Sequence, residues 1–210
     1  MGQSKAKLGF TLIELVTVIG LVSIFLVLLV KFSSSPHNSH QLIRLGIQTL
    51  TAMIDNARSL AIFNNNYTCL TIDIASPYKF RRIIIYRCSN DGSWIAECVV
   101  ILPERIYIVP LDTLAASLGR SLSNDRYAES TFSLNGEIVD GYTFIFDSAG
   151  ILINIEDGRP SNGAIIAIGS DIKRKEAIQI DSDAPLMGVF IIPGGQQIIL
   201  TSKEAIKEAW

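Results

Sequence analysis

The sequence predicts an α+β fold: a long N-terminal helix whose C-terminal half is amphipathic and packs on a mainly antiparallel β domain. Two changes of period predict it. Between Leu42 and Ala61 apolar residues recur every three or four positions, the spacing of a helix with one buried stripe. From Tyr67 onward the period falls to two, in short β-branched or aromatic runs parted by Pro, Gly, Asn, Asp or Ser. A third observation is the apolar run "LGFTLIELVTVIGLVSIFLVLLVKF" at 8–32, which is too long for an ordinary core helix.

That run is the first element. As a helix, Phe10 to Val30 would extend about 30 Å, the thickness of a bilayer core, so 10–32 is expected to span a membrane. Lys5 and Lys7 are the charged side chains ahead of it, which keeps the N-terminus in the cytoplasm and sends the bulk of the chain outside. An ordinary secretory signal would place small residues at a cut after its apolar core, and Ser33-Ser34-Ser35 is the place for one. A cut there would discard Glu14 without explaining it. An ionisable group at the bilayer centre costs roughly 2.5 to 3.5 kcal/mol on insertion scales and usually marks a function with a partner. The plain alternative is an interfacial carboxylate near a positive helix N-terminus. Thr17, Gly20 and Ser23 bring small residues to one side of the run, as helix packing in lipid favours, although no repeated small-residue motif accompanies them.

Pro36 disfavours helical geometry at Ser35, so the helix is expected to kink or restart. The segment 33–66 then reads as its amphipathic continuation. Its stripe is Leu42, Leu45, Gly46, Thr49, Leu50, Met53, Ala57, Leu60 and Ala61, with Gln48, Asp55, Asn56 and Arg58 largely off it. Asn64, Asn65 and Asn66 end it by offering local side-chain bonds to the backbone. The strand candidates follow as "YTCLTIDI", "KFRRIIIYRC", "IAECVVIL", "ERIYIVP", "YTFIFD", "GILINIED", "NGAIIAIGS", "GVFIIP" and "QQIILT", with turn signals at Asp91-Gly92 and Pro193-Gly194-Gly195. The stretch 114–129 suits a short helix or a loop. "SKEAIKEAW" suits a terminal helix capped by Ser202.

Composition narrows the function. A chain of 210 residues suits one domain plus an appendage, and 49% hydrophobic content with a positive mean hydropathy is high for a wholly soluble protein. A formal charge of −2 with no basic stripe does not favour nucleic acid as a partner. No nucleophile elbow or phosphate loop is present, and His37 and His40 lie by the helix restart with no nearby cysteine or acid to complete a metal site. No cofactor is expected. Asp171, Asp181 and Asp183 form a loose acidic group without the spacing of a calcium loop. Three cysteines leave three readings open: a bridge Cys88–Cys98 across a hairpin, a bridge Cys69–Cys88 between neighbouring strands, or free thiols.

Gly9-Phe10-Thr11-Leu12-Ile13-Glu14-Leu15, behind a short basic leader and ahead of an apolar helix, resembles the class III signal of type IV prepilins and of the pseudopilins of type II secretion. The resemblance implies a pilin-like fold and a leader, 1–9, removed by a prepilin peptidase after Gly9, with Phe10 then N-methylated. It implies an assembly helix at 10–32, its kinked continuation at 33–66 and an extracytoplasmic β domain at 67–210. Glu14 becomes the fifth residue, able to pair with the Phe10 ammonium of a neighbouring subunit. "NARSLAIFNNNYTCLTID", with Ala57-Arg58 and Ala61, and "FDSAG" at 146–150 are similar to stretches of the GspH/FimT-like minor subunits. The expected role is a minor pseudopilin or pilin, a structural subunit near a filament tip and not an enzyme. Its implied partners are the peptidase, other pilin or pseudopilin subunits, an inner-membrane assembly platform and the bilayer around 10–30. Its implied location is the bacterial inner membrane, with the C-terminal domain in the periplasm. The alternatives are a pilin-stemmed adhesin or DNA-uptake module, and an anchored periplasmic enzyme.

Overall fold

The computed structural model describes residues 12–33, 37–75, 77–119, 128–134, 137–154, 158–170, 173–174, 178–179 and 185–210. The chain divides into two units, 1–38 and 39–210. In the first, α1 (Leu12–Ser33) is a helix of 22 residues, 14 of them Leu, Val or Ile and two of them Phe. Its side chains are described at Leu12, Ile13 and positions 15–26. Among the described residues no helix is long and apolar enough to cross a membrane. Of the run 10–32 expected to span a membrane, 12–32 is helical.

The second unit is built round α2 (His37–Asn64). Ser39, Ile43, Gly46, Ile47, Leu50, Met53, Ile54, Ala57 and Ala61 are its buried positions among the described residues. The expected stripe is therefore rotated: Leu45 is 47% exposed, while Ile43, Ile47 and Ile54 are buried. The helix ends at the asparagines as expected. Asn64 Nδ2 donates to the Leu60 carbonyl (2.8 Å), Asn65 takes a left-handed φ of 50°, and the Asn66 N–H donates to the Ala61 carbonyl (3.2 Å).

The remaining elements are β1 (Thr68–Asp73), β2 (Arg82–Cys88), β3 (Trp94–Ile101), β4 (Ile106–Ile108), α3 (Leu111–Leu118), β5 (Ala128–Leu134), β6 (Glu137–Phe146), β7 (Leu152–Ile153), β8 (Ala164–Ser170), β9 (Lys173–Arg174), β10 (Ile178–Gln179), β11 (Leu186–Ile191), β12 (Gln197–Leu200) and α4 (Lys203–Ala209). All their pairings are antiparallel. They form two main sheets where one was expected: a six-stranded sheet in the order β3-β2-β1-β6-β5, with β7 also on β6, and a four-stranded sheet in the order β12-β11-β8-β4. β9 and β10 pair with each other.

Helix α2 serves both sheets. Leu50, Met53, Ile54, Ala57 and Ala61 share one core with Leu70, Ile72, Ile83 and Ile85 of the larger sheet and with Ile106, Ile166 and Ile168 of the smaller. Gly46 permits the second contact, because a Cβ there would lie 3.1 Å from Ile106 Cγ2 and 3.3 Å from Ile168 Cγ2. Gln197 Nε2 of β12 also donates to the Thr51 carbonyl (3.2 Å). Every residue of β1 is buried, since it is the central strand of the larger sheet and is covered on both faces. At the C-terminus, Ser202 caps α4 by accepting from the Ala205 N–H (3.1 Å), and Ile206 packs over Gly188 of β11.

Candidate functional site: an uncovered apolar helix and a seam of two motifs

Gly9 and Phe10 lie outside the described residues. Glu14 is within α1, and its side chain also lies outside them. Around the rest of α1, Leu12 and Ile13 are 82% and 74% exposed, and Leu15, Val16, Val18, Ile19, Leu21, Val22, Ile24, Phe25 and Leu26 are each at least half exposed. Successive helical positions differ by about 100°, so this set faces every direction. The two hydroxyls among them are satisfied within the helix: Thr17 Oγ1 donates to the Ile13 carbonyl (2.7 Å) and Ser23 Oγ to the Ile19 carbonyl (2.8 Å). A stretch that presents apolar side chains in every direction and whose two hydroxyls are bonded to its own backbone is suited to lipid or to other apolar helices more than to water.

In the second unit, the two stretches that carry the GspH/FimT-like resemblance meet. Arg58 of α2 reaches the "FDSAG" turn, where its Nε donates to the Gly150 carbonyl (3.0 Å), and its Nη2 lies 3.5 Å from the Gly194 carbonyl in the β11–β12 turn. Asp147 organises the first turn by accepting from the N–H groups of Ala149 (2.9 Å) and Ile151 (2.8 Å). Gly195 has a φ of +77°, and a Cβ there would strike the Gly150 carbonyl oxygen and lie 2.8 Å from Arg58 Nε. The guanidinium thus closes a seam between a turn of the larger sheet and a turn of the smaller. Arg58 is half-buried, where the sequence placed it off the buried stripe.

A buried ion group lies at the end of β1, and sequence reasoning missed it. Arg82 donates through Nε to Asp73 Oδ2 (2.7 Å) and through Nη1 to Glu137 Oε2 (3.0 Å), with side-chain exposures of 5%, 0% and 50% for the three residues. The Tyr78 ring lies 4.7 Å from the guanidinium carbon. Burial works against the charge on Arg82, but the Glu137 and Asp73 carboxylates outweigh it and hold its pKa above the usual value. Asp in "TIDI" and Arg in "KFRRIII", charges inside apolar runs, were the available signal.

Cys69, Cys88 and Cys98 are free thiols. The register explains why neither bridge forms. Cys88 is opposite Trp94 while Cys98 is opposite Ile85, so the two are offset along the β2–β3 ladder. Cys69 is opposite Tyr86, which makes Cys88 only a diagonal neighbour at ~7–8 Å between Cα atoms, beyond ordinary disulfide reach. Burial pushes the Cys69 thiol up to about 12 and the Tyr86 hydroxyl up to about 12. Cys98 Sγ sits 3.9 Å from Met53 Sδ, and Met53 is a core residue as expected. His40 is exposed at the start of α2, the side chain of His37 lies outside the described residues, and so do Asp171, Asp181 and Asp183. Among the described residues no group of three or more His, Cys, Asp or Glu side chains could hold a metal ion.

Two solved structures of the minor pseudopilin EpsH from the type II secretion system of Vibrio cholerae are similar to this chain. One matches at 10% identity over 76% of this chain and 96% of that chain, with a TM-score of 0.45. The other matches at 12% identity over 77% and 95%, with a TM-score of 0.44. No family model and no curated protein matches the sequence.

Proposed function

We propose that the chain is a minor pseudopilin or pilin, a structural subunit of a type II secretion pseudopilus or type IV pilus, held in the inner membrane by residues 10–30 before assembly. The observation that carries this reading is α1: a helix whose described apolar side chains are exposed in every direction and which begins within the "GFTLIEL" signal. Such a surface needs lipid or neighbouring helices to cover it. In this reading prepilin peptidase cuts after Gly9, Phe10 becomes the methylated N-terminus, and an assembly platform transfers the subunit from bilayer to filament, near its tip. Glu14 of one subunit meets the Phe10 ammonium of the next, and two groups that are costly to bury alone offset each other's desolvation. The pair acts as a register device more than as a source of net stability. The extracytoplasmic unit is the part presented to other subunits.

The test is the mature N-terminus of the protein purified from its native membranes. Mass spectrometry is expected to find N-methylated Phe10 as the first residue. A mature chain that begins after Ser33-Ser34-Ser35, without the apolar helix, would overturn the reading.

A further inference from the structure

The larger sheet folds over on itself, and side chains hold it there. In its strand order, β5 lies at the opposite end from β3. Phe132 of β5 nevertheless stacks on Tyr86 of β2, with ring centroids 4.7 Å apart, and meets Trp94 of β3 edge-on at 5.8 Å. Among the described residues β5 has a backbone ladder with β6 alone. The ladder between β6 and β1 stops where Gly141 faces Asp73, with one further bond from the Ile74 N–H to the Asp140 carbonyl (2.9 Å). Residues 131–134 and 137–140 therefore run on past β1 and turn over its face. Gly141 stands at the bend: a Cβ there would lie 2.5 Å from Thr71 Cγ2 and 2.6 Å from the Ile72 carbonyl oxygen.

Beneath this fold-over is a second, smaller core of Cys69, Ile84, Tyr86, Leu134 and Val139, separate from the core that α2 shares. The Arg82–Glu137 contact crosses the same gap. Closure has an opposing term, because it leaves Arg82 Nη2 and the Tyr86 hydroxyl buried without a hydrogen-bond partner. A buried donor left unsatisfied loses about what a good hydrogen bond returns.

We propose that residues 131–134 and 137–140 form a strap that opens and closes over Tyr86 and Cys69 as one unit, hinged at Gly141 and latched by Arg82 between Asp73 and Glu137. Opening breaks no bond in the β1–β2 or β2–β3 ladders. It separates the Arg82–Glu137 ion pair, the two ring contacts of Phe132, the Ile74 N–H bond to the Asp140 carbonyl and the packing of Leu134 and Val139 on the small core, and it gives water to two unsatisfied donors. A small satellite core of this kind opens at less than the cost of global unfolding. Opening uncovers an aromatic surface of Tyr86, Trp94 and Phe132 and a thiol that closure seals. The strap goes beyond the filament reading and does not depend on it.

The experiment uses Cys69 as reporter in the full chain, held in detergent micelles. A maleimide is added at pH 8 in a urea series below the unfolding transition, and modification of each cysteine is followed by peptide mass spectrometry. Cys69 is expected to react faster than global unfolding permits and with little dependence on urea. Glu137→Gln should raise its rate about fivefold and lower the thermal midpoint by no more than about 2–4 °C, in line with loss of one half-exposed ion pair. Phe132→Ala should raise it further. If Cys69 reacts only at the rate of global unfolding, or if Glu137→Gln leaves its rate at that of the parent, the strap is refuted. Glu137 is half exposed, so its variant folds and reads out the latch even if Phe132→Ala does not.

Discussion

Replacing Arg58 with alanine removes a side chain that reaches turns of both sheets. The loss can be worked from the geometry. The Nε bond to the Gly150 carbonyl, at 3.0 Å, is a hydrogen bond from a charged donor, whereas the 3.5 Å approach of Nη2 to Gly194 is too long to add much. A hydrogen bond to a charged group contributes about 1.5–3 kcal/mol, and the half-buried setting places this one toward the lower end. Packing of the guanidinium against Gly195 brings the total to about 2 kcal/mol. In a unit of 150–250 residues each kcal/mol moves the melting midpoint by about 2–4 °C, so Arg58→Ala should lower it by about 4–8 °C. The assay is thermal unfolding of the full chain in micelles, followed by circular dichroism of the sheet signal. Arg58→Lys should recover less than half of the loss, because an ammonium cannot reproduce the planar donor set. The reasoning is refuted if Arg58→Ala melts within about 1 °C of the parent, or if lysine restores stability in full.

Two further outcomes follow from residues already described. Burial raises the Cys69 thiol from an ordinary 9.0 to about 12, so the folded state holds its proton more tightly than the unfolded chain does. That stability is fully present below about pH 9 and is lost as pH rises toward 12; three units at 1.36 kcal/mol each make it roughly 4 kcal/mol. Urea midpoints measured from pH 7 to 11 should hold steady and then fall, and Cys69→Ser, which does not ionise there, should flatten the fall. A parent curve that stays level to pH 11 would sink that argument. In the stem, Glu14→Gln is expected to leave membrane insertion intact and to reduce incorporation into the filament, read by immunoblot of sheared fibres. Equal incorporation of parent and variant would refute the pairing with Phe10.

Much of the fold was legible wherever local chemistry decides local structure. The three asparagines stop α2, Ser202 starts α4, and Asp91 fixes its turn by accepting from the Ser93 N–H (2.9 Å), each through a bond made within a few residues. Strand β5 was not legible. "AESTFSL" is small and polar, and it is a strand because β6 offers it a ladder. The rotation of the α2 stripe has a similar cause. A single apolar face can be read from spacing, but a helix that meets two sheets buries a wider arc, and Ile43, Ile47 and Ile54 enter it while Leu45 leaves. Period two also does not say which strands pair. β1 finds β6 some seventy positions along the chain, and the division into two sheets follows from such pairings. At the candidate site, the motifs around Arg58 and Gly150 could each be seen in sequence, but their contact could not. The Arg82 group was hidden because its members come from three strands, each charge looking like an ordinary interruption of an apolar run.

The placement of α2 against both sheets at once acts as a form of proofreading. A slip of one turn along its axis would bring a bulkier residue to the spot where Gly46 now lies against Ile106 and Ile168, and would carry Arg58 out of reach of the Gly150 carbonyl. Two distant checkpoints reject the same error, so a misthreaded helix finds no partial reward on either side.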